Sequence, residues 1–465
     1  MYRAIVVATL FLGLNLPGEA AIAMDAVPTT LFRYTSGTIA GAFNGPQVVN
    51  AQRVELDPDM LLRRPGSLRF SLPHGNEIIA RLTEFHRRTI GDGTWIGQIE
   101  GKPDSRILLT ARNGRVVGSI VGLDYTYLLE PLADGGLALK TVQSNLYPEC
   151  GGGVEVNSVG LQAPDVVAGD ADDRIDVMVL YTPQARDAAG GVAGIEATAQ
   201  SAVDMANLAF SDSNVTPRFS MVYTGLAAHN DTGSSSADLT WLRSDTQVAD
   251  LRDHYGADLV SLLANDGGGF CGIGYVMRIV DPSFASSAFQ VTARGCAVGN
   301  LSYAHEHGHN MGMEHDPANG TEPENASYPS SFGHYVDGSY RTVMSYSNQC
   351  SSGCTRVAHF SNPDVTHNGV ATGIEDEREN YRTANLVAST VANFRPQVCS
   401  GILDIALPSQ TVSTIDVFDA CRNITGGDGF AVENGGDVTL IAGGYVALDT
   451  GFSVAVGGLL TVTIR

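Results

Sequence analysis

The chain is poor in positive charge and almost devoid of lysine. Its 465 residues hold 28 lysines and arginines against 50 aspartates and glutamates, and the only lysines are Lys102 and Lys140. The formal net charge of −22 repels a phosphate backbone and argues against nucleic acid as a partner. Arginine in place of lysine reads as a durable, soluble surface. Past the N-terminus there is no uninterrupted apolar run of about eighteen residues, so no membrane span is expected. A D-x-[DN]-x-[DN]-G loop is also missing, so no site for Ca2+ can be named, although an acidic surface is compatible with structural calcium.

What is present begins with "MYRAIVVATLFLGLNLPGEAAIAMD". Arg3 gives a positive start, Ala4 to Leu16 an apolar centre, and Ala21-Ile22-Ala23 a small-residue cleavage site. That pattern is a signal peptide over 1–23 and implies a secreted protein. Export permits disulfides among the seven cysteines. Cys271 with Cys296, Cys350 with Cys354 and Cys399 with Cys421 are natural neighbours, although other pairings are compatible with the sequence. Cys150 is left over.

Residues 24–150 hold short alternating runs such as "LLRRPGSLRFSLP" and "SRILLTARNGRVVGSIVG", separated by Gly, Asp and Asn, which predict a β-rich domain. A Gly- and Asp-rich stretch without period over 151–173 reads as a linker. From 174 to 398 strands alternate with helices: "IDVMVLYTP", then a helix from Val192 to Ala209, "PRFSMVYTG", a helix "TWLRSDTQVADLRDHYG", and "ADLVSLLAN". That order predicts an α/β (α+β) domain. "FCGIGYVM" and "AFQVTARGCA" add extended segments, and Asn380 to Phe394 a last helix. Residues 399–465 contain brief strands between glycines and predict a small all-β module, in the manner of a short solenoid.

The densest chemistry lies in "YAHEHGHNMGMEHD". His305 and His309, four apart, share one face of a helix. Gly312 can adopt the positive φ that ends the helix and turns the chain back, which brings His315 to the same point. Three neutral imidazoles leave a fourth position for water, the pattern of a single catalytic Zn2+. Glu306 is placed to take a proton from that water. His307 faces away from the ligands and reads as surface packing; Glu314 reads as a bystander.

HExxHxxGxxHD, followed by "RTVMSYS", resembles the metzincin zinc peptidases, and Asp316 after the third histidine resembles their reprolysin (adamalysin-like) branch in its secreted bacterial form. The resemblance spans about Ile175 to Phe394 and implies a twisted mixed sheet with an active-site helix. It also implies that Met344 forms an apolar floor under the histidines, that Asp316 braces this turn, and that Tyr346 assists at the oxyanion. "NLYPECGGG" resembles a cysteine switch, in which Cys150 of a prodomain occupies the metal's open position in the zymogen only. Gly272, Ile273 and Gly274 would belong to an edge strand that pairs with peptide substrate, and Ser345 to Asn348 would wall the primed-side pocket. The chain lacks the Cys-rich disintegrin regions of animal reprolysins, so adhesive roles do not carry over.

The expectation is therefore a secreted, monomeric zinc endopeptidase acting on proteins or peptides. Two alternatives are a surface-binding protein in which the C-terminal module is the working part, and a zinc amidase acting on cell-wall crosslinks.

Overall fold

The computed structural model describes residues 28–37, 39, 45–156, 173–399 and 401–464. The expected signal peptide and most of the 151–173 stretch lie outside them. The chain divides into two compact units. One consists of Thr29–Phe85 and Thr94–Gln397, and the other includes His86–Gly93 and Val398–Arg465.

The first part of the chain forms a ten-stranded, mainly antiparallel sheet that begins at Thr29–Thr30 and includes Leu137–Val142 as its last strand in sequence. Its alternation is visible in Ser67–Leu72, where Leu68, Phe70 and Leu72 are buried and the residues between them are not. Lys140 is buried, and its ammonium meets Glu130 at 2.6 Å on the neighbouring strand.

The next sheet has six strands in the order Gly153–Glu155, Gly272–Val276, Phe289–Ala293, Leu259–Ala264, Arg174–Tyr181 and Arg218–Leu226. It is mixed: Gly272–Val276 runs antiparallel to Phe289–Ala293, and the other pairs are parallel. Continuous apolar strands such as Leu259–Ala264, buried at every position, are what a sheet covered on both faces requires.

The helix Val192–Asp212 supplies part of that cover, with fourteen of its 21 residues buried. Ile96, Leu108 and Val117 of the first sheet join the same apolar core as this helix. Polar contacts fix the approach: Thr110 donates to Asp204 at 2.8 Å and Arg106 to Asp212 at 2.7 Å. The single helix expected over "TWLRSDTQVADLRDHYG" is two, Ser235–Ser244 and Thr246–Tyr255. Asp245 between them has extended backbone, and its carboxylate caps the second helix by accepting from the Val248 amide at 3.0 Å.

Residues 402–464 contain strands and no helix. Ile402–Leu407, Ile415–Gly426, Asp437–Ala442 and Leu459–Ile464 stack in parallel, and Gln410–Val412, Phe430–Val432 and Ser453–Val454 form a second parallel stack. Strands alternate between the stacks along the chain, as in the coils of a solenoid, around Ile424, Phe430, Val438 and Leu440.

Candidate metal centre

The helix Ser302–Asn310 is buried at every residue. It places the rings of His305 and His309 5.0 Å apart on one face. Gly312 follows at φ +77°, where a Cβ would meet the Met277 carbonyl at 3.0 Å. The reversal brings the His315 ring to 5.1 Å from His305 and 4.6 Å from His309. Each Nδ1 faces a backbone carbonyl: His305 that of Val343 at 2.8 Å, His309 that of Met313 at 2.9 Å, His315 that of Asn319 at 3.2 Å. A carbonyl only accepts, so the proton sits on Nδ1 and the Nε2 lone pairs are free to ligate.

Those Nε2 atoms converge. His315 lies 3.2 Å from His305 and 3.0 Å from His309 by this measure. An ion with tetrahedral bonds of about 2.0–2.1 Å needs ligand edges of roughly 3.3 Å, so the residues present fit one. Cys150 Sγ adds a fourth donor, 3.3 Å from His315 Nε2 and 3.8 Å from His309 Nε2, and all four atoms lie within 4.8 Å of one another. Among the described residues no other cluster of three or more His, Cys, Asp or Glu donors comes together.

Burial controls the protonation states. It holds His309 at about 4 and pushes His305 and His315 well below the usual histidine range, leaving the neutral imidazoles that ligation needs. Burial, then the Glu306 charge, push the Cys150 thiol up, so a thiolate here calls for a cation. Glu306 is fully buried and raised by that burial, and neither carboxylate oxygen has a hydrogen-bond partner.

The surrounding residues hold this arrangement from below and behind. Met344 is buried with its sulfur against the helix, where a Cβ on Gly308 would lie 2.5 Å from Sδ. Asp316 accepts from the Tyr346 amide at 3.0 Å and from Asn319. Tyr346 donates its hydroxyl to the Cys150 carbonyl at 3.0 Å. Gly272 and Gly274 sit against the helix: a Cβ at 272 would come within 2.6 Å of Glu306 Oε1, and one at 274 within 2.9 Å of the Glu306 carbonyl.

Three expectations change. The stretch read as linker contains a strand, Gly153–Glu155, which is paired in parallel with Gly272–Val276. The pairing is extended by the Cys271 amide donating to the Glu149 carbonyl at 3.0 Å and the Gly151 amide to Gly272 at 2.7 Å. His307 is not a surface residue but fully buried, against Phe219, Tyr303 and Asn310, because the helix is covered on the face opposite the metal point as well. Glu314 is buried too, and Arg278 joins it, at 2.7 Å, to Glu155. The structure forms the disulfides Cys271–Cys296, Cys350–Cys354 and Cys399–Cys421.

Sequence reasoning missed Glu149, Arg341 and Arg356, and named Ser347 only as part of the stretch Ser345 to Asn348. Glu149 reaches Ser347 and both guanidiniums. The one signal was an acid directly before the unpaired cysteine.

No described helix is long and apolar enough to cross a membrane. Residues 171–361 match the reprolysin-type model of Metallo-peptidase family M12. A peptidyl-Asp metalloendopeptidase of Xanthomonas campestris pv. campestris is 28% identical over 376 residues, 76% of this chain and 87% of that protein. Its namesake in Stenotrophomonas maltophilia is 27% identical over 83% of this chain and 97% of its own length. That of Pseudomonas aeruginosa is 32% identical over 50% of this chain and 42% of its own. With this site at its centre, the chain is a metalloendopeptidase, and its likeness to the metzincin type lies in residues 171–361.

Proposed function

We propose that the chain is a secreted zinc endopeptidase made as a zymogen, with Cys150 as the internal blocking ligand. The observation that carries this reading is the convergence of Cys150 Sγ with the Nε2 atoms of His305, His309 and His315. A buried set of three imidazoles and one thiolate at tetrahedral spacing suits Zn2+ above harder dications. Removal of Cys150 leaves three histidines and an open position, which is the catalytic pattern.

Zinc, when bound, supplies a Lewis acid and brings the pKa of a water down to about 7. Glu306, buried beside Gly272 with both oxygens unpaired, accepts the proton of the attacking water and passes it to the leaving amine. Tyr346 already donates to a peptide carbonyl at this point, that of Cys150, and would donate to the oxyanion in the same way. Extended substrate would replace Gly153–Glu155 on Gly272–Val276 and take up its backbone hydrogen bonds. Domain limits follow: signal peptide 1–23, prodomain 24–150, activation region 151–173, peptidase 174–398 and C-terminal module 399–465. The relatives are named for peptidyl-Asp bonds, and we extend that preference to this chain.

Zinc content and casein hydrolysis of processed wild type and Glu306→Gln test the mechanism. Zinc should remain at one ion per chain while kcat/KM falls by about 10³ or more. Unchanged activity in Glu306→Gln would sink the role of Glu306. A full-length Cys150→Ala precursor, which keeps the Glu149 and Gly153–Glu155 contacts, should be more active than the wild-type precursor and less active than processed enzyme; one as silent as wild type would count against the switch. Hydrolysis of cell-wall fragments but never of protein would favour an amidase.

A further inference from the structure

We propose that Arg341, Arg356 and Ser347 form the pocket that reads an acidic substrate residue on the primed side of the scissile bond, and that Glu149 fills this pocket in the precursor. The proposal rests on the zymogen peptidase reading and adds to it the groups that select the substrate.

Glu149 is one residue from Cys150, so its side chain lies one residue from the metal point. Both of its oxygens are engaged. Oε1 accepts from the Ser347 amide at 2.7 Å and from the Ser347 hydroxyl, while Oε2 lies 3.4 Å from Arg356 Nη2 and 3.6 Å from Arg341 Nη1. Every group that meets these oxygens is a donor or a cation, so the site is built for a carboxylate ion rather than an acid.

The peptidase side of the contact is incomplete without an anion. The side chains of Arg341 and Arg356 are 0% and 2% exposed. Arg341 Nη1 donates to the Ser345 carbonyl at 2.7 Å, and Arg356 donates to those of Ser345 and Asn300 at 3.2 and 3.0 Å. Yet Arg341 Nε and Nη2 and Arg356 Nε, all buried, donate to nothing. Beyond Glu149, the carboxylate that acts on Arg341 is Asp316. Withdrawal of residues 149–155 would remove the carboxylate with which both buried guanidiniums form ion pairs, and leave a pocket that pays heavily for staying empty.

Position makes this a substrate pocket and not only a structural ion pair. Ser347 follows directly on Tyr346, within the segment after Met344 expected to wall the primed side. The Tyr346 hydroxyl lies 3.1 Å from Cys150 Sγ, and the next residue, Ser347, holds Glu149, so the pocket adjoins the metal point. Glu149 belongs to the stretch that covers the substrate strand, and its side chain, 22% exposed, marks where the pocket opens.

The test uses full-length protein, secreted and processed by its own host, with peptides that differ only in the residue after the scissile bond: Asp, Glu, Asn or Ala. An acid should exceed its isosteric amide in kcat/KM by about 100-fold or more, because the amide leaves the guanidiniums unpaired. Arg356→Gln should bring that ratio to within about tenfold, chiefly by losing turnover of the acidic peptide. Ser347→Ala, which removes one hydroxyl and leaves the charges, should lower it in the same direction. A peptide of residues 145–153 (NLYPECGGG) should inhibit the processed enzyme at least about tenfold more tightly than its Glu→Gln analogue, both carrying the same thiol. Equal cleavage of Asp and Asn peptides by an active enzyme would overturn the pocket while leaving the peptidase standing. Preference for an acid before the bond would overturn its primed-side placement. A zinc-loaded, processed protein that cuts no peptide would instead overturn the peptidase reading.

Discussion

Glycine at position 272 serves Glu306 more than it serves its own backbone. A methyl group there would meet Oε1 at 2.6 Å and Cγ at 2.7 Å, and Glu306 has no open side toward which to retreat. Gly272→Ala should therefore displace the carboxylate without touching a metal donor. We expect a fall of about 10²-fold in kcat/KM with zinc content unchanged, measured on processed enzyme beside Gly295→Ala, whose methyl meets nothing within 4 Å. Unaltered kinetics in Gly272→Ala would show that Glu306 tolerates the shift. At this scale His305, Glu306, His309 and His315 were legible because helical spacing alone brings them to one face and one turn. Glu149 was not, because its partners Ser347 and Arg356 lie 198 and 207 residues away and nothing local marks them.

Elements were legible where period and length agreed, as in the apolar strand Arg174–Tyr181, and less so where a side chain broke the pattern, as Asp245 does between two helices. The helix Ser302–Asn310 misled at His307, since a helix buried all round looks from sequence like one with an outer face. The adjacent strands Thr126–Pro131 and Leu137–Val142 carry a different hidden feature, the buried Glu130–Lys140 pair. Burial alone would raise Glu130, but the charges of Lys140 and Arg294 outweigh it and its carboxyl is lowered. A depressed folded pKa means stability that is present above the unfolded value near 4.5 and lost as pH falls through the folded one. Against a Glu130→Gln/Lys140→Met double variant, wild type should keep a constant difference in Tm from pH 7 to about 5 and lose ground below about 4.5. Parallel Tm curves down to pH 3 would show that the pair is not coupled to folding.

In the unit that contains both the first sheet and the metal centre, the blocking segment is anchored from two directions. Glu149 to Glu155 are held at the site by Cys150, the Ser347 and arginine contacts, and the parallel strand on Gly272–Val276. Behind them the first sheet shares a core with Val192–Asp212 through Ile96, Leu108 and Val117, and Thr110 and Thr94 both donate to Asp204. None of these contacts passes through residues 157–172, so a cut there severs the chain without undoing a single one. Nicking alone should leave the enzyme silent, with activity appearing only as the N-terminal part dissociates or is degraded. Loss of the Asp204 carboxylate removes the shared acceptor of the Thr94 and Thr110 hydroxyls and of Gln200, a destabilisation of about 1–3 kcal/mol that falls on this interface and not on the metal donors. Asp204→Ala should therefore bring activity on about 5- to 100-fold sooner after the same nick, with the zinc content of the mature enzyme unchanged. Cleavage followed by electrophoresis and size exclusion, with peptide hydrolysis read on the same samples, separates the two events. If hydrolysis rises in step with the cut while the N-terminal part still co-elutes, the contacts described here do not hold the site closed.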